Sequence, residues 1–496
     1  MSSGSAARVG RGTAVNWIAW ILARALALGT LVLLTRTLAA DELGALLAAL
    51  AAGVLGAALA AGGLPDATAR QAAASDSPQT GFGRGDLRRA TIRFAAVLPF
   101  VLAAVIAITV QTSSDFSLSQ VLAAVTLAVT QGITTIMAAV FRARGQPGRF
   151  ALATNLGASG GRALIAGLAY PLSWEGGVVL WAFAAVNLIV ALVTWREAVR
   201  GLPDTSGSAP GEGALQLGGV VWSLLGNADV VTVGLVLGAG PAGTYSVSLR
   251  VAEFSAQFVI AISLFYMPEA ARLAVAGSRD ALIALYRAAC RWSAITTLVT
   301  AGIGFIAAPA LGKLIYPDHP HTVATLLRIL LAGYAVQGAL GVSYSTLVAI
   351  GAYRDVRTAA LIGLPVVVAV TVGFTEAWGL SGAATSTLVS YLLLNGIWVW
   401  QVAARLTTPF DGRYARALVA AGLSWLAAGL AYLALESTGA LVTFVGSACA
   451  GLAVAGPALL ALRVMGPTEL ELLKRVARLP GSSGRRRRAA PPAARG

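Results

Sequence analysis

Residues 84–144 read RGDLRRATIRFAAVLPFVLAAVIAITVQTSSDFSLSQVLAAVTLAVTQGITTIMAAVFRAR. Arg84, Arg88, Arg89 and Arg93 lead into an apolar run. A short gap without Lys or Arg follows, then a second apolar run, then Arg142 and Arg144. The cycle repeats outward from this stretch. Every second gap carries arginine: Arg196 and Arg200; Arg272, Arg279, Arg287 and Arg291; Arg354 and Arg357; Arg405, Arg413 and Arg416. A helix needs about 20 apolar residues to cross hydrocarbon, and short cytoplasmic loops collect Lys and Arg. The alternation therefore predicts an all-α, polytopic membrane protein and assigns a side to each loop. Apolar segments fall at about 14–35, 43–64, 94–111, 119–141, 151–172, 177–195, 217–238, 243–266, 292–315, 323–350, 358–375, 380–402, 415–436 and 439–463. Fourteen spans put both termini on the arginine-bearing side, which the rule makes the cytoplasm.

Composition agrees. The chain is 57% hydrophobic and 11% charged, with a mean hydropathy of +0.77, whereas soluble domains are about 25% charged. The net charge of +15 is not a nucleic-acid signature, because about 30 of the basic residues follow the positive-inside rule and no basic stripe is interleaved with aromatics. Cys290 and Cys449 offer no disulfide framework, and His319 and His321 share one short outer loop. No metal site or cofactor is expected. Arg8 and Arg11 precede a run that continues past 20 residues without a small-residue cleavage site, so it reads as a retained first span.

The chain also repeats itself. Span 2 exits through Pro65, Asp66 and Arg70, and span 8 through Pro268, Glu269 and Arg272. Span 4 exits at Phe141-Arg142, span 10 at Tyr353-Arg354. Span 6 opens at Trp174-Glu175-Gly176-Gly177, span 12 at Trp378-Gly379-Leu380-Ser381-Gly382. Three matches in one register argue for two parallel six-span halves, an arrangement found among secondary transporters. The expected organisation is a cytoplasmic N-terminus (1–13), an N-terminal six-helix bundle (14–195), a cytoplasmic linker (196–216), a C-terminal six-helix bundle (217–402), two additional spans (403–463) and a basic cytoplasmic tail (464–496). Residues 267–291 have amphipathic spacing (Leu273, Leu282, Leu285, Tyr286) and are expected to lie along the membrane interface.

Gly238 to Arg250 (GAGPAGTYSVSLR), Pro268 to Arg272 (PEAAR) and Gly379 to Ala384 (GLSGAA) resemble the polysaccharide flippase branch of the multidrug/oligosaccharidyl-lipid/polysaccharide exporter superfamily. The resemblance covers about residues 14–463 and implies a V-shaped, MATE-like pair of bundles around a central cavity. It implies movement of a lipid-linked oligosaccharide from inner to outer leaflet, or drug export by cation antiport. An arginine clamp would point to the peptidoglycan lipid II branch; Arg24 and Arg36 do not match one.

Nothing in the chain reads as an active site: there is no phosphate-binding loop, nucleophile elbow or metal spacing. The expected external loops are short, which disfavours a membrane glycosyltransferase or polymerase. The remaining candidates are ionisable residues inside spans, each expensive in hydrocarbon unless it faces a cavity or a partner. Arg24, Arg162, Arg250 and Arg328 are candidates for a cationic cavity that binds a pyrophosphate headgroup, since arginine grips phosphate through a charge-assisted fork. Arg250 and Glu253, at i,i+3, can instead neutralise each other. Asp229 and Glu253 are candidates for a coupling proton or sodium ion. Gln131 with Gln337, and Asn187 with Asn395, recur between the halves as polar cavity candidates, with interhelical bonding as their commoner use. The expected partners are a polyprenyl-pyrophosphate-linked glycan, membrane lipids, and a polysaccharide polymerase with its glycosyltransferases, at the cytoplasmic membrane.

Overall fold

In hydrocarbon a chain must satisfy its backbone donors and acceptors internally, which leaves this apolar sequence the helix. The computed structural model describes residues 23, 25–61, 83–112, 117–143, 149, 157–200, 202 and 212–464, and the regular elements among them are helical. The first half contains α1 (Ala25–Thr37), α2 (Ala40–Ala61), α3 (Arg84–Thr112), α4 (Leu118–Ala143), α5 (Ala158–Leu172) and α6 (Gly176–Val199). The second contains α7 (Glu212–Leu237), α8 (Ala239–Val275), α9 (Arg279–Ile306), α10 (Ala308–Ile315), α11 (Pro320–Leu340), α12 (Ser343–Ala349) and α13 (Tyr353–Arg405). The appended pair is α14 (Gly412–Leu435) and α15 (Ala440–Ala461).

Among the described residues ten helices are long and apolar enough to cross a membrane. α13 is two helices joined at Gly379, whose φ of 60° suits a residue without Cβ. The matching place in the first half is the turn at 173–175 between α5 and α6. The count of fourteen crossings stays an expectation. The N-terminus, Arg24, the exit at Pro65 to Arg70 and the tail from 465 lie outside the described residues.

Two expectations change. Spans 9 and 10 are each broken, into α9/α10 at Ala307 and α11/α12 at 341–342. Residues 267–291 are not a separate interfacial segment. α8 continues to Val275 and α9 starts at Arg279, with Leu282 and Tyr286 buried in the core. The amphipathic spacing serves packing on protein, because the helices overshoot their apolar runs. At the α8 exit, hydrogen bonds from Arg272 hold the Glu269 carboxyl below the usual carboxylate range.

α2 packs on α3 and α4 of its own half and on α7 and α8 of the other. α14 and α15 pack on each other and on α9 and α10. One apolar cluster runs through both halves and includes Leu46, Phe183, Val230, Tyr245 and Trp398. Large apolar side chains elsewhere face outward, such as Leu426, Leu430 and Leu433 along α14, as lipid-facing helices require.

The halves touch closely at their arginine-poor end. A Cβ on Gly44 would fall on the carbonyl oxygen of Ala239, and a Cβ on Gly243 would sit 2.6 Å from that of Ala40. Each glycine stands four residues beyond the alanine of its own helix, so the contact is reciprocal. Beside it, Asp41 Oδ1 is 2.5 Å from where a Cβ of Gly240 would be. Thr35 Oγ1 donates to Ile315 O at 2.6 Å, and Ile108 packs against Gly234. Any larger side chain at Gly44 would force α2 and α8 apart, and overpacking of this kind costs about 1–3 kcal/mol.

The seal is testable in membranes. Asp41→Cys combined with Gly240→Cys is expected to form a disulfide under mild oxidant, read as loss of maleimide labelling at the two introduced thiols. Full labelling of both after oxidation would show that this end stands open.

Candidate functional site

Gly161 lets α5 approach α6 so closely that a Cβ would meet Val186 Cγ1 at 2.5 Å. The neighbouring Arg162 therefore reaches Asn187, one residue further along α6. Its Nη2 donates to Asn187 Oδ1 at 2.8 Å and to Gln131 Oε1 of α4 at 2.5 Å, while Asn187 Nδ2 donates to Gln131 Oε1 at 3.3 Å. Three sequence candidates thus form one cluster joining α4, α5 and α6. Both acceptors are neutral, so they orient the guanidinium without cancelling its charge.

The second half builds its polar core from the α7–α8 hairpin. The chain reverses at Gly238 (φ 99°), which places Asn227 and Arg250 at about equal depth on adjacent helices. Arg250 Nη2 donates to Asn227 Oδ1 at 3.3 Å, and Arg250 Nη1 pairs with Glu253 Oε2 at 2.8 Å. Gln257 Nε2 donates to the other Glu253 oxygen at 3.0 Å. Slightly nearer the reversal, buried Asp229 accepts from Tyr245 Oη at 2.7 Å, from Thr387 Oγ1 of α13 at 3.1 Å and from the Val230 amide at 2.8 Å. Tyr334 and Tyr391, with rings 5.3 Å apart, flank this network.

Arg162 and Arg250 each lie about twelve residues from the turn at the arginine-poor face, hence about 18 Å deep by helical rise. The two guanidiniums thus stand at similar depth, one in each half.

The other candidates stand apart. Arg328 is exposed and lies against Phe305, with its Nε 3.4 Å from the Phe305 carbonyl and its guanidinium 5.8 Å from the ring centroid. Asn395 is buried and donates to Tyr391 O on its own helix at 2.9 Å. Gln337 is buried with no hydrogen-bond partner for Oε1. The arrangement that joins Gln131 and Asn187 is not repeated by Gln337 and Asn395. The sequence reading missed Asn227, Gln257, Tyr245 and Thr387. The i,i+4 spacing of Gln257 from Glu253 was a usable signal; Tyr245, inside the expected span 243–266, carried none.

No protein-family model matches the chain, and no curated protein does. Solved structures do match. The chain superposes on a structure described as lipid II flippase MurJ, inward closed conformation, with a TM-score of 0.67 at 10% identity, covering 90% of this chain and 99% of that one. A multidrug resistance MATE family transporter of the MOP superfamily, inward-facing, matches with a TM-score of 0.57 at 15% identity, covering 77% and 94%. A MOP superfamily transporter from Pyrococcus furiosus matches with a TM-score of 0.53 at 14% identity, covering 81% and 95%. The chain shares its fold with these structures.

The Arg162 cluster predicts an asymmetry. Gln131→Leu or Asn187→Leu removes an acceptor from a buried charge and is expected to destabilise by about 1–3 kcal/mol. Thermal unfolding in detergent reads this. Adding Arg162→Met to either variant should restore most of the loss; an unchanged melting temperature in the single variants would mean that the cluster bears no load.

Proposed function

We propose that this protein flips a polyprenyl-pyrophosphate-linked oligosaccharide from the inner to the outer leaflet of the cytoplasmic membrane, for cell-surface polysaccharide synthesis, by alternating access between two six-helix halves. The observation that supports the reading most is an uncancelled guanidinium, Arg162, held at depth by two neutral amides. An anionic diphosphate would be drawn to this charge, whereas a cationic drug would be repelled by it. The MOP fold and a seal at one end of the halves support alternating access. Arg24 belongs to the proposed cavity, Gln131 and Asn187 hold Arg162 towards it, and the lipid tail stays in the bilayer. The arginine alternation supports a cytoplasmic side for both termini. A polymerase and glycosyltransferases are the partners such a reaction needs.

With no nucleotide-binding loop in the chain, the proposed drive is an ion gradient or the supply and removal of substrate. Asp229 is the favoured coupling carboxylate, since Glu253 already pairs with Arg250. The same buried carboxylate supports a second reading, a MATE-type drug:cation antiporter, and the likeness to a lipid II flippase keeps that cargo in view, since its diphosphate chemistry is the same.

Arg162→Ala and Arg24→Ala are each expected to abolish surface glycan, with lipid-linked oligosaccharide accumulating in the inner leaflet and the protein inserted at the parent level. Normal glycan in both variants would sink the cavity. Arrested peptidoglycan synthesis on depletion would assign lipid II as cargo. Efflux of a cationic dye that stops in Asp229→Asn would assign the antiporter.

A further inference from the structure

The appended helices take no part in the proposed cavity, yet their arginine-bearing ends are chemically distinctive. The start of α14 carries Arg413 and Arg416, and the chain just past α15 carries Arg463, all exposed. Arg416 is fixed between two backbone carbonyls: Nη1 donates to Leu462 O and Nε to Gly412 O, both at 3.1 Å. Arg413 lies one turn earlier on the same helix face. Arg463 follows Leu462 directly, with a left-handed φ of 50°. The one carboxylate described here, Asp411, is engaged: it caps α14 by accepting from the Tyr414 amide at 2.7 Å and lies 3.5 Å from buried Arg291 of α9. Carbonyl acceptors orient a guanidinium but do not neutralise it, and the negative end of the α15 dipole amounts to about half a charge.

We infer that this end of the α14–α15 hairpin binds the headgroup of an anionic phospholipid. Guanidiniums take phosphate oxygens in pairs, and basic pockets between spans at this depth suit acidic headgroups. What favours a lipid over a small anion is the apolar surface beside the cations. Val419 on α14 and Leu460 on α15 are 55% and 59% exposed, and Phe410, stacked edge-on to Tyr414 at 5.2 Å, is 50% exposed. Acyl chains can cover these side chains while the phosphate meets the arginines. Arg287 donates to Thr407 Oγ1 at 2.8 Å and, with the Arg291–Asp411 pair, fastens the loop before α14 to α9. A lipid held here would therefore brace the hairpin against the second half. This site does not depend on the proposed cargo.

The test uses the purified full-length protein in detergent, followed by native mass spectrometry and thermal unfolding. Phosphatidylglycerol is expected to give retained lipid adducts and a raised melting temperature, and phosphatidylcholine neither. Arg413→Gln combined with Arg463→Gln should lose most of both effects while its lipid-free melting stays at the parent value. Arg354→Gln combined with Arg357→Gln, which removes equal charge elsewhere on the same face, should keep them. Equal loss in the two double variants would reduce the site to general attraction by a basic face and overturn the assignment. So would the same shift from inorganic phosphate, or equal retention of phosphatidylcholine.

Discussion

A guanidinium inside hydrocarbon has no water to bind, so the protein around it decides where it can stand. This constraint organises the polar interior. Arg162 is tolerable because α4 and α6 each turn an amide side chain towards it, and those amides reach it because Gly161 lets α5 and α6 close up. Arg250 is tolerable for a different reason, a carboxylate one turn along its own helix and Asn227 across the hairpin. Helix spacing, glycine placement and the positions of the amides follow from carrying charge at this depth.

The same economy of small residues shapes the contact between halves. At Gly44 and Gly243 the backbones of α2 and α8 meet without side chains between them, and a reciprocal contact of this kind is what two copies of one unit make across a shared axis. Among the described residues, the arginine-bearing end of the second half is tied within itself: Arg405 with Asp355, Arg279 with the carbonyl of Arg405, Tyr286 with Ser343. The second half and its appended hairpin are thus fastened together at the arginine-bearing end, while the two halves are fastened to each other at the opposite one.

Much of this was legible in the chain because it is written in short-range terms. Span positions depend on local hydropathy, and the turn at Gly379 is marked by two close glycines. Gln131, Arg162 and Asn187 stood out because polar residues are rare in such segments, and rarity sufficed to bring three members of one cluster together. Partnerships across helices were less visible. Nothing near Asp229 in sequence announces Thr387, which arrives from α13, and a tyrosine such as Tyr245 is too ordinary in a membrane helix to signal a carboxylate partner. Arg328 misled for the converse reason. Its place within an apolar run resembled that of Arg162, but the side chain turns outward against Phe305, and only helix rotation distinguishes the two.

The two halves of the proposed cavity differ in a way that bears on energy coupling. Arg162 keeps its charge, since Gln131 and Asn187 are neutral, while Arg250 and Glu253 cancel. Among these described side chains, Asp229 then offsets Arg162 when it is ionised and leaves the interior positive when a proton or a sodium ion neutralises it. On the proposed reading an anionic headgroup is held more strongly in the second condition than in the first. By linkage the effect is reciprocal, so a bound diphosphate strengthens cation binding at Asp229 by the same factor. Cargo and ion would thus be coupled through charge alone, with no contact between them.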